Sequence, residues 1–394
     1  MPSILLWCED QALPGSATSL LEAAKLSQIQ QLAKAGAAGC LTSAQGARRL
    51  PWNAPRPARG MDRAAIHRAL TGLRTTDANA APGLWYAARM KCAVAPEDTV
   101  WCCDLVTQRD GVVIDSTAGD IPTKESELLI QALEDALGSE HHRWEIGEGR
   151  RHLFISRGWD GEAVRSLIAP EQLAGMRWAR QLPKTSLGTQ LTEWLGRAGQ
   201  VLDAHPINRV RIDLGENPAN AIWLWGPGKP HEGMLPSSLR RTAVMSNDFA
   251  LRGLAQLANA AWSPTPEQWE EEGLQRLVTQ IMDHWDSLDY VYVHLPVVSR
   301  DPVDRQCAME RLDQIIIKPL SQRLSSDVGR LALLIDDAPR SSIALVALGE
   351  GVTPQPTVSL EAEHLLQSPL RFTDPTALFD WFVPSTETTP LSTT

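Results

Sequence analysis

Short apolar runs separated by polar loops set the pattern of the first forty residues. "SILLW", residues 3–7, has the length and composition of a buried strand. "SLLEAAKLSQIQQLAKAGAAGCL", residues 19–41, has apolar residues at helical spacing and predicts a helix that closes on Gly36 and Gly39. A buried strand followed by a helix is the first unit of a doubly wound α/β sheet.

The pattern changes at about residue 90, where alternating apolar and polar positions replace continuous apolar runs. Arg109-Asp110-Gly111 lies between two such alternating segments and predicts a hairpin turn. A second hairpin is predicted around Gly147 and Gly149. Two hairpins and two amphipathic helices alternate here and predict an α+β unit, with elements at residues 99–115, 124–138, 142–158 and 186–205.

Continuous apolar runs return after residue 216, again separated by helical patterns. The predicted strands are "AIWLWG", "RTAVMS", "YVYVHL" and "RLALLID". The predicted fold class is therefore α/β, a mostly parallel sheet with helices on both faces plus an inserted α+β domain. The expected division is a discontinuous core of residues 1–90 and 216–384, an inserted domain of residues 91–215, and a disordered tail of residues 385–394.

Composition narrows the classes of partner. The formal net charge of −10 argues against a phosphate-coating basic surface, so no nucleic-acid partner is expected. The apolar run of "MPSILLWCED" is too short for a signal sequence or a membrane span, so no membrane partner is expected. The six cysteines are scattered without a CxxC pair, which is typical of buried thiols in a reducing compartment. The predicted location is cytoplasmic.

Acidic residues follow two of the predicted strands. The chain has no glycine-rich phosphate motif and no GxSxG motif, so those chemistries are not indicated. Asp301, Asp304, Asp336 and Asp337 are expected at strand carboxyl ends, where they could hold Mg²⁺. No histidine follows either acidic loop at ligand spacing, and solvated loop carboxylates are the favoured interpretation.

One long string resembles a known family. "HPINRVRIDLGENPANAIWLWGPGKP", residues 205–230, is similar to the signature H-P-[VI]-N-x-x-R, then P-A-N and an apolar strand ending in G-x-G. This signature belongs to the archaeal-type, cofactor-independent phosphoglycerate mutases of the alkaline phosphatase superfamily. "TVWCCDLVTQRDGVVID" and "ERLDQIIIKPL" also resemble that family, and the likeness extends over nearly all of the chain. The resemblance implies an alkaline-phosphatase-like core.

The resemblance also implies a reaction site, and the chain departs from it. Family members bind two divalent ions, usually Mn²⁺ or Zn²⁺, around a Ser or Thr that is transiently phosphorylated. "GMDRAAIHRALTG" resembles the nucleophile motif, but the nucleophile position is occupied by Met61. A thioether cannot attack phosphorus, so no catalytic residue is expected.

The metal-ligand positions implied by the family are also altered. The histidine of its D-H-[SP]-T-P motif is replaced by Asp337, and the histidines of its other two loops are missing. No metal cofactor is therefore expected, and Arg300 and Arg340 are expected to balance the remaining acids. The vestigial positions are Glu9, Asp62, His67, Asp301, Asp336 and Asp337.

Two functions stay open from the sequence. The favoured hypothesis is a silent member with a binding or regulatory role, for a small phosphorylated metabolite or a protein partner. Its ligand-binding candidates are His205, Asn208, Arg209 and Asn220, although the same residues could simply cap and turn the backbone. The alternative is an active phosphomutase or phosphohydrolase with a shifted Mn²⁺ or Zn²⁺ pair, held by Glu9, Asp10, Asp62, His67, Asp301, Asp304 and Asp336.

Overall fold

The computed structural model describes most of the chain, in two compact units. The described residues are 1–9, 19–42, 63–72, 81–164, 167–230, 241–296, 299, 301–336, 342–355 and 359–383. The first unit combines Met1–Arg74 with Pro236–Thr394, and the second is Thr75–Leu235. The inserted domain was predicted at residues 91–215, whereas the second unit also includes residues 75–90 and 216–235. The predicted tail lies outside the described residues.

Strands and helices alternate through the described residues. The strands are β1 (Ser3–Glu9), β2 (Ala37–Thr42), β3 (Asp98–Arg109), β4 (Val112–Asp115), β5 (His142–Glu148), β6 (Arg151–Arg157), β7 (Ala221–Gly228), β8 (Thr242–Met245), β9 (Ala261–Ser263), β10 (Tyr290–Pro296), β11 (Arg330–Ile335), β12 (Ser342–Gly349) and β13 (Arg371–Phe372). The helices are α1 (Leu20–Ala23), α2 (Ser27–Ala35), α3 (Arg63–Leu70), α4 (Pro82–Met90), α5 (Thr123–Leu137), α6 (Ser186–Ala204), α7 (Pro206–Asp213), α8 (Phe249–Leu257), α9 (Glu271–Asp283), α10 (Pro302–Leu312), α11 (Lys318–Ser326), α12 (Ala362–Gln367) and α13 (Pro375–Phe382). Among these, none is long and apolar enough to cross a membrane.

The first unit is built on an eight-stranded sheet in the order β13-β2-β12-β11-β1-β10-β8-β9. Only β12 runs antiparallel to its neighbours β11 and β2, and the other pairings are parallel. Apolar residues of β1 alternate between two covered faces. Ile4, Leu6 and Cys8 pack into a core with α2 and α9, and α3 and α13 cover the opposite face, where Phe379 contacts Tyr290. The predicted α/β sheet, mostly parallel with helices on both faces, is confirmed.

The segment predicted as one helix over residues 19–41 is wrong in its second half. It forms α1 and α2, and "AAGCLT" is then the buried strand β2. A Cβ on Gly36 would lie 2.0 Å from the Ala347 carbonyl oxygen, and one on Gly39 would lie 1.7 Å from that of Leu370. Gly36 is the C-cap of α2, where its N–H donates to the Leu32 carbonyl, so the predicted helix end at Gly36 is confirmed. Gly39 lies inside β2 and permits close backbone approach there, so it does not mark a helix end.

The second unit is built on a separate antiparallel sheet in the order β4-β3-β6-β5, with β7 also paired to β3. The prediction that the strand "AIWLWG" belongs to the parallel core is wrong, because this strand is β7 of the second unit. Its tryptophan Trp223 is 1% exposed and packs in the second unit's core with α5 and α6, while Trp225 donates to Asp104 of β3. The second edge of β3 would otherwise present unpaired backbone N–H and C=O groups, and β7 pairs with that edge.

Candidate functional site

Three polar residues gather where central strands of the first sheet end. Glu9 is the last residue of β1, and β1 lies between β10 and β11. His294 of β10 pairs in register with Trp7, and Asp336 directly follows β11. Since parallel strands end at the same edge, residues far apart in sequence converge here.

Helix α3 brings two further side chains to this edge. Arg63 and His67 are four residues apart and therefore lie on the same helix face. The carbonyl of Leu70 at the end of α3 accepts a hydrogen bond of 2.6 Å from the Tyr290 hydroxyl of β10. This contact fixes the helix over the β1 and β10 strands.

Glu9 is the centre of the cluster, and its two carboxylate oxygens have different partners. Oε2 lies 2.6 Å from Nε2 of His294 and 3.6 Å from Nε2 of His67. Oε1 accepts from Arg63 at 2.9 Å, and the same guanidinium donates to Asp336 at 3.0 Å. Glu9 and His67 are 9% exposed and His294 is 2% exposed, so these contacts are largely removed from solvent.

The second nitrogen of each imidazole has a hydroxyl partner. Nδ1 of His67 lies 2.8 Å from the Tyr292 hydroxyl, and Nδ1 of His294 lies 3.0 Å from Oγ of Ser246. The indole of Trp7 packs against both imidazoles, with its centroid 4.4 Å from that of His67. Both rings are thus held with Nε2 towards Glu9.

Burial and hydrogen bonding act in opposite directions on these groups. Burial alone raises the pKa of Glu9, but hydrogen bonds from His294 and His67 outweigh it and hold this pKa well below its usual value. Burial lowers the pKa of His67, and the hydrogen bond and charge of Glu9 offset this only in part. Glu9 is therefore a carboxylate at neutral pH.

The structure brings together only some of the acidic and histidine residues singled out in the sequence. Asp301 accepts from the backbone N–H groups of Val303 and Asp304 and caps α10, and it is exposed. Asp304 is exposed and accepts from Ser299. Met61, Asp62, Asp10, Asp337, Arg300 and Arg340 lie outside the described residues. Glu9, His67 and Asp336 do meet, and within the described residues Arg63 pairs with both acids.

His294 was missed as a candidate ligand. The metal-ligand pattern expects a histidine a few residues after each acidic loop. His294 instead lies within β10, two residues before the end of the strand. The available signal was a histidine near the carboxyl end of a buried strand, since buried imidazoles need a polar partner. Within the described residues, Glu9, His67 and His294 form the group of metal-ligating type, with ligand atoms all within 4.8 Å of one another.

This donor set does not fit a pair of ions. Two-metal centres need carboxylates and imidazoles from several loops. Here one carboxylate serves two imidazoles, its other oxygen is bound to Arg63, and the Asp336 carboxylate is bound to the same guanidinium. The described residues supply ligands for one ion at most.

The string at residues 205–220 is held by contacts within the second unit. Asn208 is 1% exposed and donates to the carbonyls of Leu202 and Ala219, and it accepts from the Ala219 N–H. His205 caps α7, accepting from the Ile207 N–H at 3.3 Å. Asn220 exchanges two hydrogen bonds with the backbone of Gln108. Arg209 is exposed. These contacts favour the capping and turning role for His205, Asn208 and Asn220.

Asn208→Ala should lower the free energy of unfolding by about 1–3 kcal/mol, because it leaves buried backbone groups without partners. Val210→Ala, an exposed change on the same helix, should alter stability by less than about 0.5 kcal/mol. Urea denaturation followed by circular dichroism measures both. Equal stability of the two variants would contradict the structural role of Asn208.

A family model matches part of the chain. The model describes 2,3-bisphosphoglycerate-independent phosphoglycerate mutase, and it matches residues 69–208. This region lies mainly in the second unit and does not include Glu9 or His294.

Curated relatives carry the same description. The 2,3-bisphosphoglycerate-independent phosphoglycerate mutase of Methanosarcina mazei is 35% identical over 142 residues, 36% of each chain. That of Methanosarcina acetivorans is 27% identical over 263 residues, 64% of this chain and 66% of the relative. A probable enzyme of this type from Geobacter sulfurreducens is 30% identical over 217 residues, 53% of this chain and 54% of the relative. The chain thus spans between about a third and two thirds of these relatives.

Two solved structures share the fold over almost the whole chain. A cofactor-independent phosphoglycerate mutase from Thermoplasma acidophilum has a TM-score of 0.52 at 20% identity, covering 96% of this chain and 98% of its own. A protein from Pyrococcus horikoshii has a TM-score of 0.61 at 13% identity, covering 98% of both chains. At these identities the likeness shows the fold.

Proposed function

We propose that the chain is a member of the 2,3-bisphosphoglycerate-independent phosphoglycerate mutase family that keeps the fold without the phosphoryl-transfer reaction. The partial match of the family model and the likeness to curated relatives and to a solved structure support this. Its role is then to bind, or to regulate, rather than to catalyse. A small phosphorylated acid or a protein is the proposed partner.

The observation that carries this proposal is the position of Arg63. Its guanidinium bridges Glu9 and Asp336, the two described carboxylates at the ends of β1 and β11. A buried or half-buried carboxylate pair needs a compensating positive charge, and here a side chain of the protein supplies it. Both of these carboxylates are thus bound to a cationic side chain, which does not favour a pair of divalent cations between them.

The identity of residue 61 supports the same proposal. Phosphoryl transfer through a covalent intermediate needs an oxygen nucleophile, and methionine has none. Restoring a hydroxyl alone supplies neither the activating cation nor the charge that stabilises the transition state. Loss of the nucleophile, together with the two-ion centre that the family uses, would remove both halves of the reaction.

The proposal is tested by assaying wild type and Met61→Ser for interconversion of the two phosphoglycerates, with added Mn²⁺ or Zn²⁺. The Methanosarcina mazei relative is the positive control under the same conditions. We expect neither protein to exceed the background rate. Turnover by the wild type that is abolished by a chelator would instead favour the alternative, an active enzyme with a shifted metal site.

A binding role predicts a ligand-dependent change in thermal stability. Of the candidates for an anion contact, Arg209 is exposed on α7 and keeps its guanidinium available to solvent. A phosphorylated acid bound there should raise the melting temperature in wild type and in Arg276→Ala, an exposed arginine on α9, but not in Arg209→Ala. An unchanged melting temperature in all three proteins would favour a protein as the partner.

The cysteines support a reducing location. All six are free, and Cys8, Cys40, Cys102 and Cys103 are buried. Burial raises the pKa of Cys102 and Cys103 well above the usual value, so these thiols are unreactive. Cytoplasmic location is the corresponding proposal.

A further inference from the structure

We propose that Glu9, His67 and His294 bind a single divalent transition-metal ion. The site uses neither of the acidic loops after β10 and β11. It shares Glu9 and His67 with the vestigial positions that the resemblance implies, but His294 of β10 is not one of those positions. The ligand set is therefore new, and it is built from β1, α3 and β10. The inference goes beyond the proposed function and does not rest on it.

The donor atoms are close to the spacing that one ion requires. With ligand bonds of about 2.0–2.1 Å in tetrahedral geometry, ligand atoms lie roughly 3.3–3.5 Å apart. The His67 Nε2 to Glu9 Oε2 distance is 3.6 Å. The His294 Nε2 to Glu9 Oε2 distance is 2.6 Å, a hydrogen bond. An ion replaces the shared proton there, and the two atoms separate by less than about 1 Å.

The hydroxyl partners of both imidazoles suit metal binding. A ligating imidazole must present Nε2 without its proton and carry the proton on Nδ1, which then needs an acceptor. Tyr292 and Ser246 place hydroxyl oxygens 2.8 Å and 3.0 Å from the two Nδ1 atoms. A hydroxyl can donate or accept, so it serves the ring in both the proton-bridged and the metal-bound form.

The two oxygens of the Glu9 carboxylate face different groups, so Glu9 can contact an ion and Arg63 at the same time. Arg63 contacts Oε1, whereas both imidazoles face Oε2. The negative charges of Glu9 and Asp336 exceed the positive charge of Arg63, and Asp248 adds a further negative charge that acts on His67. A doubly charged ion is therefore compensated by nearby groups.

The surroundings favour a small, selective site. Trp7 is 0% exposed and packs against both imidazoles, which restricts ring rotation and excludes solvent on that side. Arg63 is 43% exposed, so the site has access to solvent on the other side. Two imidazoles and one carboxylate prefer Zn²⁺, Co²⁺ or similar ions over Mg²⁺.

The test uses full-length protein without a histidine tag, stripped with a chelator and titrated with Co²⁺. We expect visible d–d absorption that saturates at one equivalent, and displacement by Zn²⁺ measured by competition with a chromophoric chelator. His67→Gln and His294→Gln should each weaken Zn²⁺ binding by at least roughly 100-fold, since loss of an outer hydrogen-bond partner alone costs 10–100-fold. His364→Gln, at an exposed histidine, is the matched control and should bind as wild type.

Two further variants separate a metal site from a purely structural ion-pair cluster. Ser246→Ala, which removes a positioning residue, should weaken Zn²⁺ binding roughly tenfold. Arg63→Gln removes a competing positive charge and should tighten Zn²⁺ binding on the order of tenfold, whereas it would only destabilise a structural cluster. Circular dichroism without metal verifies that each variant is folded.

Uptake of no ion, binding that is unchanged in both histidine variants, or weaker binding in Arg63→Gln would overturn the single-ion site. Two bound ions with chelator-sensitive mutase turnover would overturn both this inference and the proposed function. No ion and no turnover would overturn the inference alone.

Discussion

Replacing Arg211 by methionine should lower the free energy of unfolding by about 1.5–3 kcal/mol, as expected when hydrogen bonds to a buried charged group are lost. Its side chain is 2% exposed, on the inner face of α7. The guanidinium contacts the carboxylates of Glu125 and Glu216 at 2.6 Å and 3.1 Å. Methionine fills much of the same volume but leaves these groups without a donor.

The same guanidinium also holds a turn. It donates to the carbonyl oxygens of Asn217, Ala118 and Gly119, at 3.0, 3.1 and 3.1 Å. Ala118 and Gly119 have φ values of 53° and 65°, in the left-handed region, which costs energy for a residue with a side chain. Arg211 thus stabilises a strained turn as well as two acids, and it is not available to an external anion.

Arg209→Met is the matched control, because it makes the same change at an exposed position on the same helix. It should alter stability by less than about 0.5 kcal/mol. Arg211→Lys should lie between the two, since lysine keeps the charge but cannot donate in five fixed directions. Urea denaturation of the three variants measures the differences. A loss below about 1 kcal/mol in Arg211→Met would contradict this account.

Acidification should destabilise the protein through His152, by about 2–3 kcal/mol between about pH 7 and about pH 4.5. His152 of β6 is 0% exposed, and burial lowers its pKa to about 3. The unfolded chain takes up a proton near the ordinary value of about 6.5, whereas the folded protein does not. Stability from this residue is therefore complete above about pH 6.5 and is lost as the pH falls towards 3.

His152→Gln removes the titrating group but keeps an acceptor for the Gly147 N–H, which donates to Nδ1 of His152 at 3.0 Å. The pH dependence of its unfolding free energy should be shallower than that of wild type by the same 2–3 kcal/mol. His284→Gln, at an exposed histidine, should keep the wild-type slope. Parallel slopes for all three proteins would show that His152 is protonated without cost in the folded state.

The sequence alone determined the elements whose signals are local. The strands β10 and β11, the hairpins of the second unit and the helices α5, α6 and α9 follow from apolar periodicity and turn residues within a few positions. The resemblance to a family was also readable, because its most specific string lies in one continuous segment. Conversely, β2 was mistaken for helix, since the close approach of Leu370 to its residue Gly39 is a tertiary contact that local sequence patterns do not show.

Only the tertiary structure decided which side chains form the site. Glu9 and His294 are 285 positions apart and meet because β1 and β10 are neighbours in a parallel sheet. Among the described residues, Arg63 bridges Glu9 and Asp336, and "AIWLWG" belongs to the antiparallel sheet of the second unit. Apolar periodicity records which face of an element is buried, but it does not record which other element covers that face. Strand order and helix placement set those partners, and with them the contacts of every polar side chain.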